Sequence, residues 1–264
     1  MALSPNSVLK NRKYQIVSVL SVSVVFSLWV AGGKLGWFNP VFVPSVEDVY
    51  GAFRDVWING YRGYTLPYHI FSSLRRLAGA IALACLTAVP FGMAAGRSKF
   101  FQAVIDPFIE FYRALPPLAY YTLIILWLGI GDLSKIVLLF LSGFAPLFIS
   151  TVFAVEKIPR DRVDGAKSLG AKGISLFVRV IFPSCLPDIL TGLRTAVGVC
   201  YATLVAAEMV AAVSGIGWLV LDSSKYLRFD IVYFGIFIIG GVAILIDSSI
   251  RLLIDKAAPW IGRE

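Results

Sequence analysis

Residues 136–170 read IVLLFLSGFAPLFISTVFAV followed by EKIPRDRVDGAKSLG. Ile136–Val155 contains no charged residue, and at about 1.5 Å per residue its 20 residues reach across a hydrocarbon core of about 30 Å. Glu156–Gly170 then carries 7 charged residues in 15, a density that belongs in water. A membrane edge therefore falls at Val155–Glu156. Similar runs lie on both sides: Tyr14–Gly33, Leu77–Gly96, Ala114–Gly131, Ile189–Leu221 interrupted by Arg194 and Glu208, and Ile231–Ile246 extending toward Leu253. Six membrane helices are expected, with Ala114–Gly131 the least regular because of Pro116-Pro117. The fold class is all-α and polytopic.

Composition agrees. Of 264 residues, 58% are apolar and 15% charged, against about 25% charged in soluble domains. That excludes a soluble domain, a disordered chain, a disulfide scaffold and a collagen-like fibre. The net charge of +8 does not indicate nucleic acid, because the basic residues sit in short segments between apolar runs. Cys85, Cys185 and Cys200 form no C-x-x-C and read as small buried residues. Lys10, Arg12 and Lys13 precede the first run, which is longer than a signal-peptide core and lacks an A-x-A-like site, so a retained first helix is expected. Alternating spans from a cytoplasmic N-terminus puts 15 Lys and Arg inside and 8 outside, with Arg194 within a span. This places both termini in the cytoplasm. The expected organisation is a tail at residues 1–13, one membrane domain at 14–255 and a tail at 256–264.

Ser45 and Asp48 make a capping-box-like start, followed by Val46, Val49, Phe53 and Val56 at helical spacing. A short amphipathic helix lying on the outer surface and an ordinary packing helix both fit. In the cytoplasmic segment of about 156–185, Pro159 suits a helix first turn and Gly170 a left-handed helix end. Ile174, Phe177, Val178 and Ile181 give a second helix one apolar face, and Pro183 is expected to end it. Two short helices at a tight turn can dock in a partner's groove. A solvated loop is the bland alternative.

Asp164-Gly165-Ala166, three residues, Gly170, nine residues and Val180-Ile181-Phe182-Pro183 resemble the E-A-A…G…I-x-L-P signature of binding-protein-dependent ABC importer permeases. Asp164, Gly165, Val180 and Phe182 depart from it. Gly165 weakens the helix by about 1 kcal/mol relative to Ala. Asp106–Pro117, Trp127–Lys135 and Leu204–Glu208 resemble the nitrate/sulfonate/taurine branch, and together with Pro259-Trp260 look most like taurine permeases.

The resemblance implies a type I importer permease in a bacterial inner membrane, moving taurine or another small sulfonate-type solute. It implies a second permease chain in a homodimer and an extracytoplasmic substrate-binding protein. It also implies cytoplasmic ATPase subunits docked through Arg162, Asp164, Gly165, Ala166, Lys167, Ser168, Leu169 and Gly170. ATP and Mg would belong to those subunits. This chain would be no enzyme, and it lacks G-x-x-x-x-G-K-[ST]. ATP closure would switch the spans between two rigid-body states.

Glu208 is the sharpest intramembrane residue, since an ionised group in a span costs about 3 kcal/mol on insertion scales. Pathway lining, a gate and an ion pair to another helix all fit. Arg194 lies about 21 Å from it along a helix and would snorkel. Tyr120, Tyr121 and Trp127 suit the pathway or an interfacial anchor. Asp188 and Asp247 fit solvated edges, and the lone His69 fits a packed or interfacial residue. A secondary transporter would show inverted repeats or more intramembrane charge. A membrane enzyme would need a convergent catalytic set. None is visible.

Overall fold

A computed structural model describes residues 12–257 of the chain; the expected tails, including Pro259-Trp260, lie largely or wholly outside the described residues. Those residues form helices joined by short turns. In chain order they are α1 Arg12–Lys34, α2 Val46–Ile58, α3 Leu66–Arg97, α4 Lys99–Ala114, α5 Pro117–Leu128, α6 Asp132–Glu156, α7 Arg160–Ser168, α8 Gly173–Ala211, α9 Ile216–Lys225 and α10 Phe229–Ala257. Five of them, α1, α3, α6, α8 and α10, are long and apolar enough to cross a membrane.

The Ala114–Gly131 run is broken, as its two prolines lead one to expect. The helix α4 stops at Ala114, and α5 begins at Pro117 with only 12 residues, about 18 Å. Two other expectations need correction. Ile189–Leu221 is not one helix: α8 ends at Ala211, the chain turns through 212–215, and α9 restarts from Gly215 at φ +127°. Pro183 does not end the second cytoplasmic helix either. That helix runs straight into the membrane span through a π turn at Phe177–Ile181. Proline lacks an N–H and crowds the preceding carbonyls, and a widened turn just before it relieves both. The helix α3 also starts earlier than the apolar run, at Leu66, and so carries His69, Ser72, Ser73 and Arg76 as buried residues.

The core is α6 held between α3 and α8. On α3, Ala80, Ala84, Ala88, Gly92 and Gly96 recur every four residues. A Cβ added at Gly92 would lie 2.7 Å from Thr151 Cβ, and one at Gly96 would lie 2.7 Å from Val155 Cβ. Small residues let the two backbones approach, and that close dispersion packing holds helices together where lipid removes the hydrophobic drive. The α8 side repeats the device: a Cβ at Gly143 would meet Cys200 Sγ at 2.5 Å, and one at Gly192 would meet Ser150 Cβ at 2.3 Å.

The start of α2 is a complete capping box. The Asp48 N–H donates to Ser45 Oγ at 3.1 Å, and the Ser45 N–H donates to Asp48 Oδ2 at 3.2 Å. Val49, Ala52 and Val56 are buried in a cluster with Ile231 and Phe234 of α10, so α2 is a packing helix on that face. Tyr50, Trp57 and Ile58 remain exposed on the other. The helix α1 is tied down mainly by Trp29, whose Nε1–H donates to Pro44 O at 3.1 Å and whose ring stacks on Tyr233.

Candidate functional site

The two ends of α6 lead to two different kinds of site. Beyond Glu156 lies α7, an exposed nine-residue helix with no buried residue. Its exit is a Schellman closure. The Gly170 N–H donates to Lys167 O at 2.9 Å, the Ala171 N–H donates to Ala166 O at 3.0 Å, and Gly170 sits at φ +89°. Val163 and Ala166 turn toward the core cluster. Asp164, Gly165, Lys167, Ser168 and Leu169 face outward, and Leu169 is 91% exposed. Arg162 Nη1 donates to Ser184 Oγ at 3.3 Å, tying α7 to α8 just beyond its π turn. Lys167 pairs with Asp164 at 3.1 Å on the helix surface. A Cβ at Gly165 would meet nothing within 4 Å, so this departure from the signature leaves open space rather than a required gap.

At the opposite end of α6 is a buried polar cluster. Glu208 of α8 is fully buried. Its Oε1 accepts from Arg76 Nη1 and from Ser73 Oγ, each at 2.7 Å, and its Oε2 accepts from the Gly217 N–H at 3.0 Å. Arg76 is equally engaged. Its Nη1 also donates to Ser214 O at 2.8 Å, and its Nε donates to Asp132 Oδ1 at 2.7 Å. Arg75 also pairs with Asp132. The Ile216 N–H donates to Ser73 Oγ at 3.0 Å. The Gly215 N–H donates to His69 Nδ1 at 3.2 Å, leaving Nε2 protonated toward Tyr61 O at 3.4 Å, so the geometry calls for a neutral histidine. Beside it, burial pushes the Tyr61 phenol above its ordinary pKa, and the Asp222 carboxylate to which it donates at 2.9 Å acts in the same direction.

The cluster thus closes the 212–217 turn onto α3 through an ion pair from another helix. The turn demands glycine. A Cβ at Gly215 would lie 2.3 Å from Glu208 Cδ, in a backbone conformation that side chains rarely adopt. Sequence reasoning counts Arg76 among the outer charges and misses this role; the signal that could have found it is a polar stripe directly before the apolar run, with His69, Ser72, Ser73 and Arg76 at i, i+3, i+4 and i+7. Arg194 does not simply snorkel either, since it holds Asp247 of α10 at 2.6 Å.

Of the remaining intramembrane candidates, Tyr121 stands within electrostatic reach of Glu208 and Arg76. Tyr120 lines a cavity of about 250 Å³ at the α4–α5 break, with Tyr112, Arg113, Ser142, Pro146 and Val199. Tyr121 is buried in a cluster with Ile124, Leu138 and Ala207. Trp127 is 75% exposed. Among the described residues no group of His, Cys, Asp and Glu has a metal-binding arrangement.

Residues 88–259 match a family described as binding-protein-dependent transport system inner membrane component. Over 247 residues the chain is 37% identical to the taurine transport system permease protein of Escherichia coli (strain K12), covering 93% of this chain and 90% of that one. It is 31% identical over 242 residues to a putative aliphatic sulfonates transport permease protein of Bacillus subtilis, covering 92% and 86%. It is 28% identical over 244 residues to a nitrate import permease protein of Synechocystis, covering 92% and 88%.

Proposed function

The chain belongs to the family of binding-protein-dependent transport system inner membrane components, an ABC importer permease of its taurine, sulfonate and nitrate branch, and from that premise we propose that its solute is taurine. The relatives named for taurine, sulfonates and nitrate support a small oxyanion as solute, and the highest identity among those compared above favours the amino sulfonate. In this reading two copies pair around the path, and a separate binding protein delivers solute. ATPase subunits, carrying ATP and Mg, dock on α7.

The observation that carries the docking role is the Schellman-closed turn at Gly170. It presents Asp164, Lys167, Ser168 and Leu169 on a short rigid helix anchored to the bundle by Val163 and Ala166. Such a helix transmits a push because its backbone bonds are closed locally and its inner face is packed. It stands on the cytoplasmic side in the orientation that the Lys and Arg bias favours. Tyr120 lines the solute's route at the cavity beside the α4–α5 break. Tyr121 and Trp127 flank it, one packed within the bundle and one at its surface. Glu208 acts as the clamp of an outer gate: its hydrogen bonds hold the 212–217 turn in place.

The test is purification of the tagged chain from mild detergent with partners identified by mass spectrometry, then uptake after reconstitution. An ATPase with a phosphate-binding loop should co-purify, and taurine uptake should require ATP and the binding protein. Nitrate uptake in place of taurine uptake would move the solute assignment within the branch. Uptake by the chain alone would overturn the importer reading.

A further inference from the structure

Against the Glu208 clamp lies a second cavity, of about 220 Å³, which shares Arg76, Asp132 and Ser214 with it. It is open to the end of the bundle where α3 and α6 begin and α8 ends. Tyr68, Ser72, Arg75, Arg76, Asp132 and Lys135 are among its walls. Three cations therefore face one carboxylate. The Arg76 guanidinium is spent on Glu208, Asp132 and Ser214. Lys135 is not. It is 2% exposed, its Nζ donates to a single carbonyl, Gly131 O, at 3.0 Å, and its three protons can serve three acceptors. Its ion pairs within 4 Å are none among the described residues. The Asp132 and Glu208 carboxylates act on it at longer range, and two of its three protons remain for an incoming anion to accept. Arg75 stands at the rim, its side chain 61% exposed and joined to Asp132. The volume holds several waters of about 30 Å³ each, room for a two-carbon sulfonate.

We infer that this cavity is an anion subsite at the outer mouth of the permease, where Lys135 and Arg75 receive the sulfonate group of the arriving solute. The inference rests on the importer reading above and adds to it the residues that meet the solute first. A sulfonate offers three equivalent oxygens, which suits a lysine with spare protons at the floor and an arginine fork at the rim. Asp132, held between the two arginines, is the carboxylate among the cavity's walls.

The test uses the full complex of permease, ATPase subunits and binding protein in proteoliposomes, with taurine uptake followed over a range of loaded binding protein. Lys135→Met keeps the stem and removes the charge; Arg75→Gln changes an exposed side chain and so spares the fold; Lys135→Arg returns the charge. The maximal uptake rate should fall on the order of tenfold in Lys135→Met and severalfold in Arg75→Gln, at an unchanged half-saturating concentration of binding protein, and Lys135→Arg should recover most of it. In parallel, calorimetric titration of the lipid-free complex in maltoside micelles with ethanesulfonate should give binding that Arg75→Gln weakens. If Lys135→Met fails to assemble, Arg75→Gln in both assays decides.

Wild-type rates in both charge-removing variants would overturn the subsite while leaving the importer reading intact. A raised half-saturating concentration at an unchanged maximal rate would make the cavity a socket for the binding protein, and would also overturn it. So would heat from added phosphatidylglycerol with none from ethanesulfonate, which would give the cavity to a lipid headgroup. A wild-type complex that binds ethanesulfonate but imports no sulfonate would instead overturn the assigned solute.

Discussion

The α7 turn and the Glu208 cluster stand at opposite ends of α6, and they are built by opposite means. In the turn, the closing hydrogen bonds join residues three to five apart, and every residue of α7 is at least partly open to solvent. In the cluster, the bonds from α3 to Glu208 and the 214–216 turn join residues 132 to 146 apart, the Arg76–Asp132 bond joins residues 56 apart, and the Glu208 carboxylate and Arg76 are withdrawn from water. The turn is a rigid surface feature that a partner can grip without unfolding anything. The cluster is a lock: a buried carboxylate satisfied by an arginine, a serine and a backbone N–H is stable only while three segments remain together. In the proposed importer, whose parts move as rigid bodies, the first would receive force and the second would keep one end of a body intact.

The largest test of that contrast is to leave the lock half made. Glu208→Ala takes from Arg76 its fully buried carboxylate and leaves it Asp132 and Ser214 O, and breaking a buried pair typically costs about 3 to 5 kcal/mol. The detergent-solubilised chain should melt well below wild type, and Arg76→Met added to Glu208→Ala should recover part of the loss. Equal melting of the single variant and wild type would remove the lock. Gly215→Ala should come next, at about 1 to 3 kcal/mol, because it combines a strained φ with a contact 2.3 Å from the carboxylate. Limited proteolysis at the 212–217 turn would report it, and Gly198→Ala, placed in open space, is the control that should leave the digestion pattern as in wild type.

At the other end, Gly170→Val should cost about 1 to 2 kcal/mol locally, since a branched residue resists the left-handed conformation. Because the turn is exposed, the melting temperature should barely move while ATPase association measured by pull-down falls. A large drop in melting temperature would contradict the distinction drawn between the two ends. The smallest effect is expected from Gly165→Ala. It adds up to about 1 kcal/mol of helix preference in open space. Association should hold or tighten, and a loss would show that the partner needs the missing methyl's room.

Legibility in the sequence follows the same division. Pro159, Gly170 and the charges between them announce a short helix with a left-handed exit, because capping and turn chemistry act over a few residues. The same locality made the Ser45–Asp48 box and the Pro116-Pro117 break readable. It misled at Pro183. The proline is there, but whether it stops the helix or is absorbed by a π turn depends on the packing of Leu176 and Ile181 in the core cluster. Glu208 was conspicuous as a charge in an apolar run, yet its partner was not. Arg76 lies 132 residues earlier, and hydropathy alone assigned it to a loop.

Length, hydropathy and local turn chemistry in this sequence already determine an all-helical membrane chain, its main spans, the charged segment after Val155 and the short helix within it. Each of these depends on the transfer of nearby side chains out of water or on hydrogen bonds a few residues long. Tertiary structure alone decides that α3 begins at Leu66, that α8 stops at Ala211, and that Glu208 meets Arg76. Those outcomes depend on which helices approach closely enough to share a buried charge. The five small residues spaced four apart on α3 let α6 pack closely, and α6, packed in turn on α8, holds the two charged helices in one bundle.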